Sequence, residues 1–452
     1  MNEWRVHVEG LGKIKEADID TKPFTLFVGD NNSGKSYLMT LIWGIYSCNQ
    51  VVFRNYESMI KEGKIDIEVF RSYFSKINQE FEEKKEEISY KLPSEIIENL
   101  QESINVLIDE NKDYLVRTLF NKGDMSIKFL TVTVLKHEKM ELILKYDEEL
   151  KYQVSGGRFG FGNYSPQEDR LLYMLYKELL CWYLYGEDLE FYYGIDRNEM
   201  KYLPVSRTGF MLTKEYVDRF SRKVTFGYRE QEQLQQIQPL TKPITSFLDD
   251  LDSAVSSKNN TDNRVAKFIE QELCSGSIQV VDDMGKNVMY HPAGEEMSLP
   301  LTVTSGVVTE LVPLILLLQS DSLMQGVFYE EPETCLHAKL QKKLTRALIR
   351  LVNSGIMVNI TTHSDTILQH INNMLRLNTL KQKEELMEQY GYIEDDLLSI
   401  ENVAVYQLDE ISPVESKVTR LEHNEYGFVV PTFNDALDKI LEEVYAFQQD
   451  EE

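Results

Sequence analysis

Gly29-Asp30-Asn31-Asn32-Ser33-Gly34-Lys35-Ser36 fits the pattern G-x-x-x-x-G-K-[ST] at every position, and it joins two segments of different period. Thr25-Leu26-Phe27-Val28 before it reads as a buried strand, while Leu38, Leu41, Ile42 and Ile45 after it are spaced as one helix face. Strand, glycine-bearing loop, helix is the setting in which such a loop holds phosphate. Its glycines let successive backbone N–H groups turn inward at a helix N-terminus, whose dipole favours anions. Gly29, Asn31, Asn32, Ser33 and Gly34 then line the phosphates of ATP, Lys35 reaches the β- and γ-phosphates, and the Ser36 hydroxyl ligates Mg²⁺. A glycine-rich turn that matches by chance is the alternative, and the flanking strand and helix weigh against it.

Two later strand ends carry chemistry. Gly326-Val327-Phe328-Tyr329 runs into Glu330-Glu331-Pro332-Glu333. A phosphate-loop ATPase needs an acid here for Mg²⁺, assigned to Glu330, and a second to activate water, assigned to Glu331. Taken alone, the four residues are equally an acidic turn; the phosphate loop favours the functional reading. Ile356-Met357-Val358-Asn359-Ile360-Thr361-Thr362 is a second buried strand, and it delivers His363 to the end where open parallel sheets bind ligands. There an imidazole donates to a γ-phosphate, or it is simply a hydrogen-bonded histidine in a turn.

The rest of the chain bounds these readings. Its 452 residues are 42% apolar, enough for two or three domains or one domain with large insertions. A net charge of −26 excludes a broadly basic, nucleic-acid-coating surface but leaves room for a local basic groove. No leader pattern opens the sequence, and the densest apolar run, 311–318, is far shorter than the ~20 residues of a membrane span. Cys48, Cys181, Cys274 and Cys335 form no metal or disulfide pattern, which suits a reducing cytoplasm.

Phe70, Tyr73, Phe74, Ile77 and Phe81 predict one helix; Pro93-Ser94 then starts another, capped by Ser94, with Ile97, Leu100, Ile104, Leu107 and Ile108 as its face. Over 125–154 the alternation predicts strands with Ile127, Phe129, Thr131 and Thr133 on one face, then Leu142, Leu144 and Tyr146. A loop, SGGRFGFGNYS, a helix near 167–185 and a strand at Tyr202-Leu203-Pro204 follow. Residues 211–274 read as helical and polar, and the last 150 or so alternate strand and helix, the pattern of a parallel sheet.

Together the phosphate loop, EEPETCLH and TTHS resemble the ABC-type ATPases, in the branch of RecF, the SMC-like DNA-repair ATPases and the overcoming-lysogenization-defect (OLD) proteins. The opening GLGKIKEADIDTKPFTLFVGDNNSGKS is similar to that branch's entry into its phosphate loop. The resemblance spans roughly 1–50 and 295–430. It implies an α/β fold: an ABC-type ATPase core of mostly parallel sheet plus an antiparallel β lobe, with helical insertions. On that plan 1–50 carries the phosphate-loop half, 51–120 is a helical insertion, 121–210 the antiparallel lobe and a Q-loop-like strand, 211–275 a second insertion and 276–452 the other half. The resemblance makes EEPETCLH the Walker B strand and D-loop, and His363 the switch histidine. Ser305-Gly306, before a helix at 307–318, takes the place of the signature motif that reaches the partner's γ-phosphate, although one glycine rather than two follows the serine. Tyr202-Leu203-Pro204-Val205-Ser206-Arg207 matches the Q-loop context without the glutamine; Ser206 or Arg207 substitutes for it, or Arg207 pairs with a nearby carboxylate.

Lys35 and Glu330 are 295 positions apart, so the helical segments must protrude from the core, as in SMC-like proteins and unlike transporter subunits. Arg219, Arg222, Lys223 and Arg229 make the second insertion locally basic, which surface solubility explains equally well. The resemblance implies a cytoplasmic ATPase, with no membrane partner, that forms a head-to-tail dimer around ATP. Stand-alone members of the branch gate a separate effector, a nuclease or toxin, in bacterial anti-phage defence; DNA is a possible but unrequired partner. The alternatives are a DNA-binding SMC-like repair ATPase and an ATP-dependent binding module with negligible turnover. A nuclease within the chain is not expected: fewer than 90 residues follow His363, and the one evident DxD, Asp250-Leu251-Asp252, precedes Glu330.

Overall fold

Phe24–Gly29 (β3), the strand ahead of the phosphate loop, is an interior strand of a nine-stranded sheet of order β5-β1-β2-β15-β14-β3-β13-β12-β8. The other members are β1 (Glu3–Leu11), β2 (Ile14–Asp20), β5 (Phe129–Lys136), β8 (Met200–Leu203), β12 (Gly326–Glu330), β13 (Met357–Thr362), β14 (Val403–Ser412) and β15 (Glu415–Arg420). This is a computed structural model. It describes residues 2–84, 86–136, 140–147, 149–154, 169–186, 199–213, 240–257, 262–282, 286–321, 323–425, 427–430 and 441–447.

β14, β3, β13, β12 and β8 run parallel, whereas β5, β1 and β2 pair antiparallel, as do β14 and β15. Parallel strands need cover on both faces, which is why β3, β12 and β13 are unbroken runs of buried residues. Phe27 faces a core built with α1 (Lys35–Ser47), α2 (Glu68–Lys84), α3 (Ser94–Phe120) and α4 (Asp169–Tyr185). Phe24, Leu26 and Val28 face a second core, under α5 (Lys242–Ser256), α6 (Gly306–Gln319), α7 (Ala338–Asn353) and α8 (Asp365–Thr379). Among the described residues, no helix is long and apolar enough to cross a membrane.

Within residues 121–210, expected to hold an antiparallel lobe and a Q-loop-like strand, the strands divide between two sheets. β5 joins the main sheet beside β1, β8 forms its parallel edge, and β6 (Glu141–Asp147) and β7 (Glu149–Val154) form a small sheet with β4 (Ile88–Lys91). β4 has no counterpart in the sequence reading, because ISYK follows the charged run directly. A further hairpin, β9 (Gly276–Asp282) with β10 (Lys286–Pro292), adds the two-residue β11 (Leu299–Pro300).

On β5 the buried side chains are Leu130, Val132 and Val134, while Phe129 and Thr133 are exposed. Both alternating sets of FLTVTV suit a strand, and α3 selects between them. Gln101 Nε2 donates to the Val132 carbonyl, and the Val132 and Val134 amides donate to Asn105 and Gln101, so α3 covers the sheet edge. At the start of α3, Pro93 occupies the cap position and Ser94 makes no capping bond; Ile96, rather than Ile97, is fully buried. The loop SGGRFGFGNYS, the four basic residues between 219 and 229 and most of the first half of the second insertion lie outside the described residues.

Candidate functional site

The phosphate loop leaves β3 through backbone that only glycine tolerates. Gly29 has φ 127°, and a Cβ there would lie 2.1 Å from the Leu408 carbonyl oxygen on β14. Gly34, at φ 100°, precedes α1, whose N-terminus carries no side-chain cap and so presents its first-turn amides to an anion. Ser33 is buried, and its hydroxyl has no hydrogen-bond partner among the described residues. Lys35 folds back over the loop, donating to the carbonyls of Gly29 at 3.1 Å and Asp30 at 2.6 Å. Burial lowers its ammonium pKa to about 8, while Glu331, Asp30 and Glu333 oppose that shift.

β13 lies between β3 and β12, so His363 emerges between the phosphate loop and the acidic strand end. Its Nε2 stands 3.7 Å from Glu331 Oε1, too far for a hydrogen bond but within ion-pair range. Burial, then the Lys35 charge, lowers the imidazole pKa; Glu331, Asp30 and the Gly29 carbonyl pull the other way. Glu331 itself has φ 40° and is pinned by its amide, which donates to the Thr361 carbonyl at 2.9 Å. Lys35, Glu331 and His363 therefore share one neighbourhood.

Glu330 is buried at the end of β12. Its Oε1 accepts from the Tyr202 hydroxyl at 2.8 Å and its Oε2 from the Val205 amide at 3.0 Å. Each carboxylate oxygen keeps a lone pair after these bonds. The exposed Ser36 hydroxyl and the Glu330 carboxylate are oxygen donors, the kind Mg²⁺ takes alongside water. The residues fit that ion.

Arg207 is not at the surface of this cleft. It is fully buried, paired with Glu310 on α6, and its guanidinium also donates to the carbonyls of Pro204, Glu330 and Glu331. This is the carboxylate pairing, not a side chain free to touch phosphate. Ser206 is exposed in the turn beside it. Ser305 and Gly306 are exposed at the start of α6, where Ser305 Oγ accepts from the Val308 amide at 3.4 Å. A Cβ added at Gly306 would meet Cys335, in the turn after β12, at ordinary van der Waals distance. Asp250 is spent on a buried ion pair with Lys201 at 2.7 Å, so the DxD does not form a metal site of its own.

Sequence reasoning missed Glu333, whose Oε1 accepts from the His363 amide at 2.6 Å and so sets the histidine loop. Burial raises the Glu333 pKa. The spacing E-x-E in EEPE was its one available signal. Thr40, Tyr202 and Glu310 gave none.

The model of the AAA ATPase domain family matches residues 4–156 and 211–368, more than half of the chain. No curated protein matches. Among solved structures, the SMC head domain from Thermotoga maritima is 11% identical, covering 93% of this chain and 100% of that chain at a TM-score of 0.37. An SmcHead bound to the C-winged helix domain of ScpA is 13% identical, covering 93% and 98% at a TM-score of 0.40. A third, the Smc head domain with an extended coiled coil bound to the C-terminal domain of ScpA derived from Pyrococcus furiosus, covers 98% and 99% at 13% identity and a TM-score of 0.36. On the family match, which contains the phosphate loop, the acidic strand end and His363, this chain belongs to the AAA ATPase domain family.

Proposed function

We propose that the chain binds ATP at Gly29–Ser36, hydrolyses it, and uses the cycle to open and close a head-to-tail dimer that gates a partner. The observation that carries this reading is the meeting of Lys35, Glu331 and His363 at the ends of β3, β12 and β13. Lys35 exchanges its two loop carbonyls for phosphate oxygens, a gain because both partners are then charged. Glu331, partly exposed and beside the phosphate loop, takes the proton from the attacking water. His363, held neutral by its surroundings, donates a hydrogen bond to the γ-phosphate. Ser36 and Glu330 are the residues that would hold Mg²⁺, which would supply neutralising charge at the phosphates. Ser305 and Gly306 complete the site of a second copy with the amides of an exposed helix start.

The partner is a separate effector, a nuclease or toxin, in bacterial anti-phage defence. Support for this comes from the resemblance of EEPETCLH and TTHS to the branch that holds the RecF, SMC-like and OLD proteins, and from the net charge of −26, which favours a protein partner over naked DNA. Steady-state phosphate release by wild type and Glu331→Gln tests the catalytic core. Turnover in the wild type, reduced at least ~100-fold in the variant with ATP binding kept, is expected. A wild type that binds ATP without turnover above background makes the chain an ATP-operated binding module instead.

A further inference from the structure

Residues 202–207, from the end of β8 into the helical turn that follows, grip the acidic pair from the side away from β13. Tyr202 and the Val205 amide hold the two carboxylate oxygens of Glu330, and the Arg207 fork holds the carbonyls of Glu330 and Glu331 at 2.7 and 2.9 Å. The same segment reaches outward in two directions. The Tyr202 hydroxyl is also 3.0 Å from Thr40 Oγ1 on α1, one helical turn beyond Ser36. Arg207 pairs with Glu310 on α6, one helical turn beyond Gly306, and the Thr208 hydroxyl donates to the same carboxylate.

A buried ion pair is no better for stability than apolar packing, so its distinctive effect is to hold one arrangement and penalise others. Arg207 and Glu310 are both essentially inaccessible, and Arg207 also lies over the Tyr329 ring at 4.5 Å. A planar fork that spans three carbonyls and a carboxylate is a demand that lysine cannot meet. Polar groups of this one segment thus join the phosphate-loop helix, the acidic pair and the helix that presents Ser305-Gly306.

We propose that residues 202–207 form a crossbar coupling those three elements, with Tyr202 and Arg207 as positioning residues that make α6 and the Glu330-Glu331 turn move as one body. The functional meaning of the coupling rests on the ATPase reading above; the mechanical coupling does not.

Glu310→Gln, which keeps the side chain's shape, and Tyr202→Phe, which removes one hydroxyl, test it in the full chain. Amide hydrogen exchange is the first readout. The Thr334 amide donates to the Glu331 carbonyl that Arg207 also holds, so Glu310→Gln speeds exchange over 331–334 by about tenfold without a matching change in β2 or β15. Tyr202→Phe does the same at the Val205 amide and is the variant that decides if Glu310→Gln does not fold. ATP kinetics are the second readout: kcat falls about tenfold while KM for ATP stays within about threefold, the split expected of misplaced rather than lost contacts. Arg207→Lys, which restores charge but not the fork, leaves kcat low. Folded variants with wild-type exchange at 331–334 and Val205 overturn the crossbar, and altered exchange with unchanged kcat overturns its positioning role. A wild type that neither binds nor hydrolyses ATP sinks the ATPase reading, and exchange alone then decides the coupling.

Discussion

Lys35 Nζ donates to the carbonyl of Asp30 at 2.6 Å, so the loop's cation is held by the loop itself. Burial leaves that ammonium with a pKa of about 8, against 10.5 ordinarily. Anionic phosphates raise it again, so ATP binding takes up a proton. Calorimetry in buffers of different ionisation enthalpy should show nearly one proton bound per ATP near pH 9 and about a tenth of that at pH 7. Without nucleotide the sign is also set. The unfolded chain binds more protons between about pH 8 and 10.5, so this residue's contribution makes stability rise with pH across that window. Equal proton uptake at pH 7 and 9 would contradict the assignment.

His363 should titrate below the ordinary histidine pKa of 6.5. Glu331 is among the groups that raise it, so Glu331→Gln should move the midpoint further down, while a bound γ-phosphate should move it up. NMR of the histidine ring protons measures all three. An unshifted midpoint in Glu331→Gln would separate the two residues.

Away from the site, Asp396 is fully buried between Arg346 at 2.8 Å and Arg350 at 2.7 Å. Burial opposes its charged form, but Arg350, Arg346 and the Ile393 amide outweigh that and hold the carboxyl below its usual range. Asp396→Asn leaves two mostly buried guanidinium groups short of a counter-charge and should cost about 3–5 kcal/mol by urea unfolding. The wild-type contribution is present above the ordinary carboxyl pKa of 3.8 and fades as pH falls through the lower folded value.

Gly29→Ala meets both a forbidden φ of 127° and the Leu408 carbonyl at 2.1 Å. It should cost about 3 kcal/mol or more, whereas Gly63→Ala, also at positive φ but with open space around it, should cost about 1 kcal/mol. Thermal melts of the pair compare strain with and without collision.

What was legible in the sequence was whatever is contiguous. β3, the phosphate loop and α1 follow one another, and β12 and β13 each run directly into their candidate residues, so pattern alone placed them. Arg207 was ambiguous because the group that decides between phosphate and carboxylate, Glu310, lies on a different helix far along the chain. Glu333 was visible as a carboxylate, but its partner is the His363 backbone amide, which no residue type announces. The buried face of β5 was not legible because both alternating sets are good strand formers, and only the docking of Gln101 and Asn105 distinguishes them.

The strand order has a consequence for biosynthesis. β3 is translated early, yet its neighbours on either side, β13 and β14, are residues 357–362 and 403–412. On the ribosome, the phosphate-loop strand waits with both edges unpaired until β13 has emerged, and with one edge unpaired until β14 has. Gly29 has no Leu408 to lie against, and a ribosome stalled before that point releases a fragment with an open, aggregation-prone edge and no seat for nucleotide. Nucleotide retention is therefore a report on finished translation, and cells would need to shelter the nascent chain until β14 arrives.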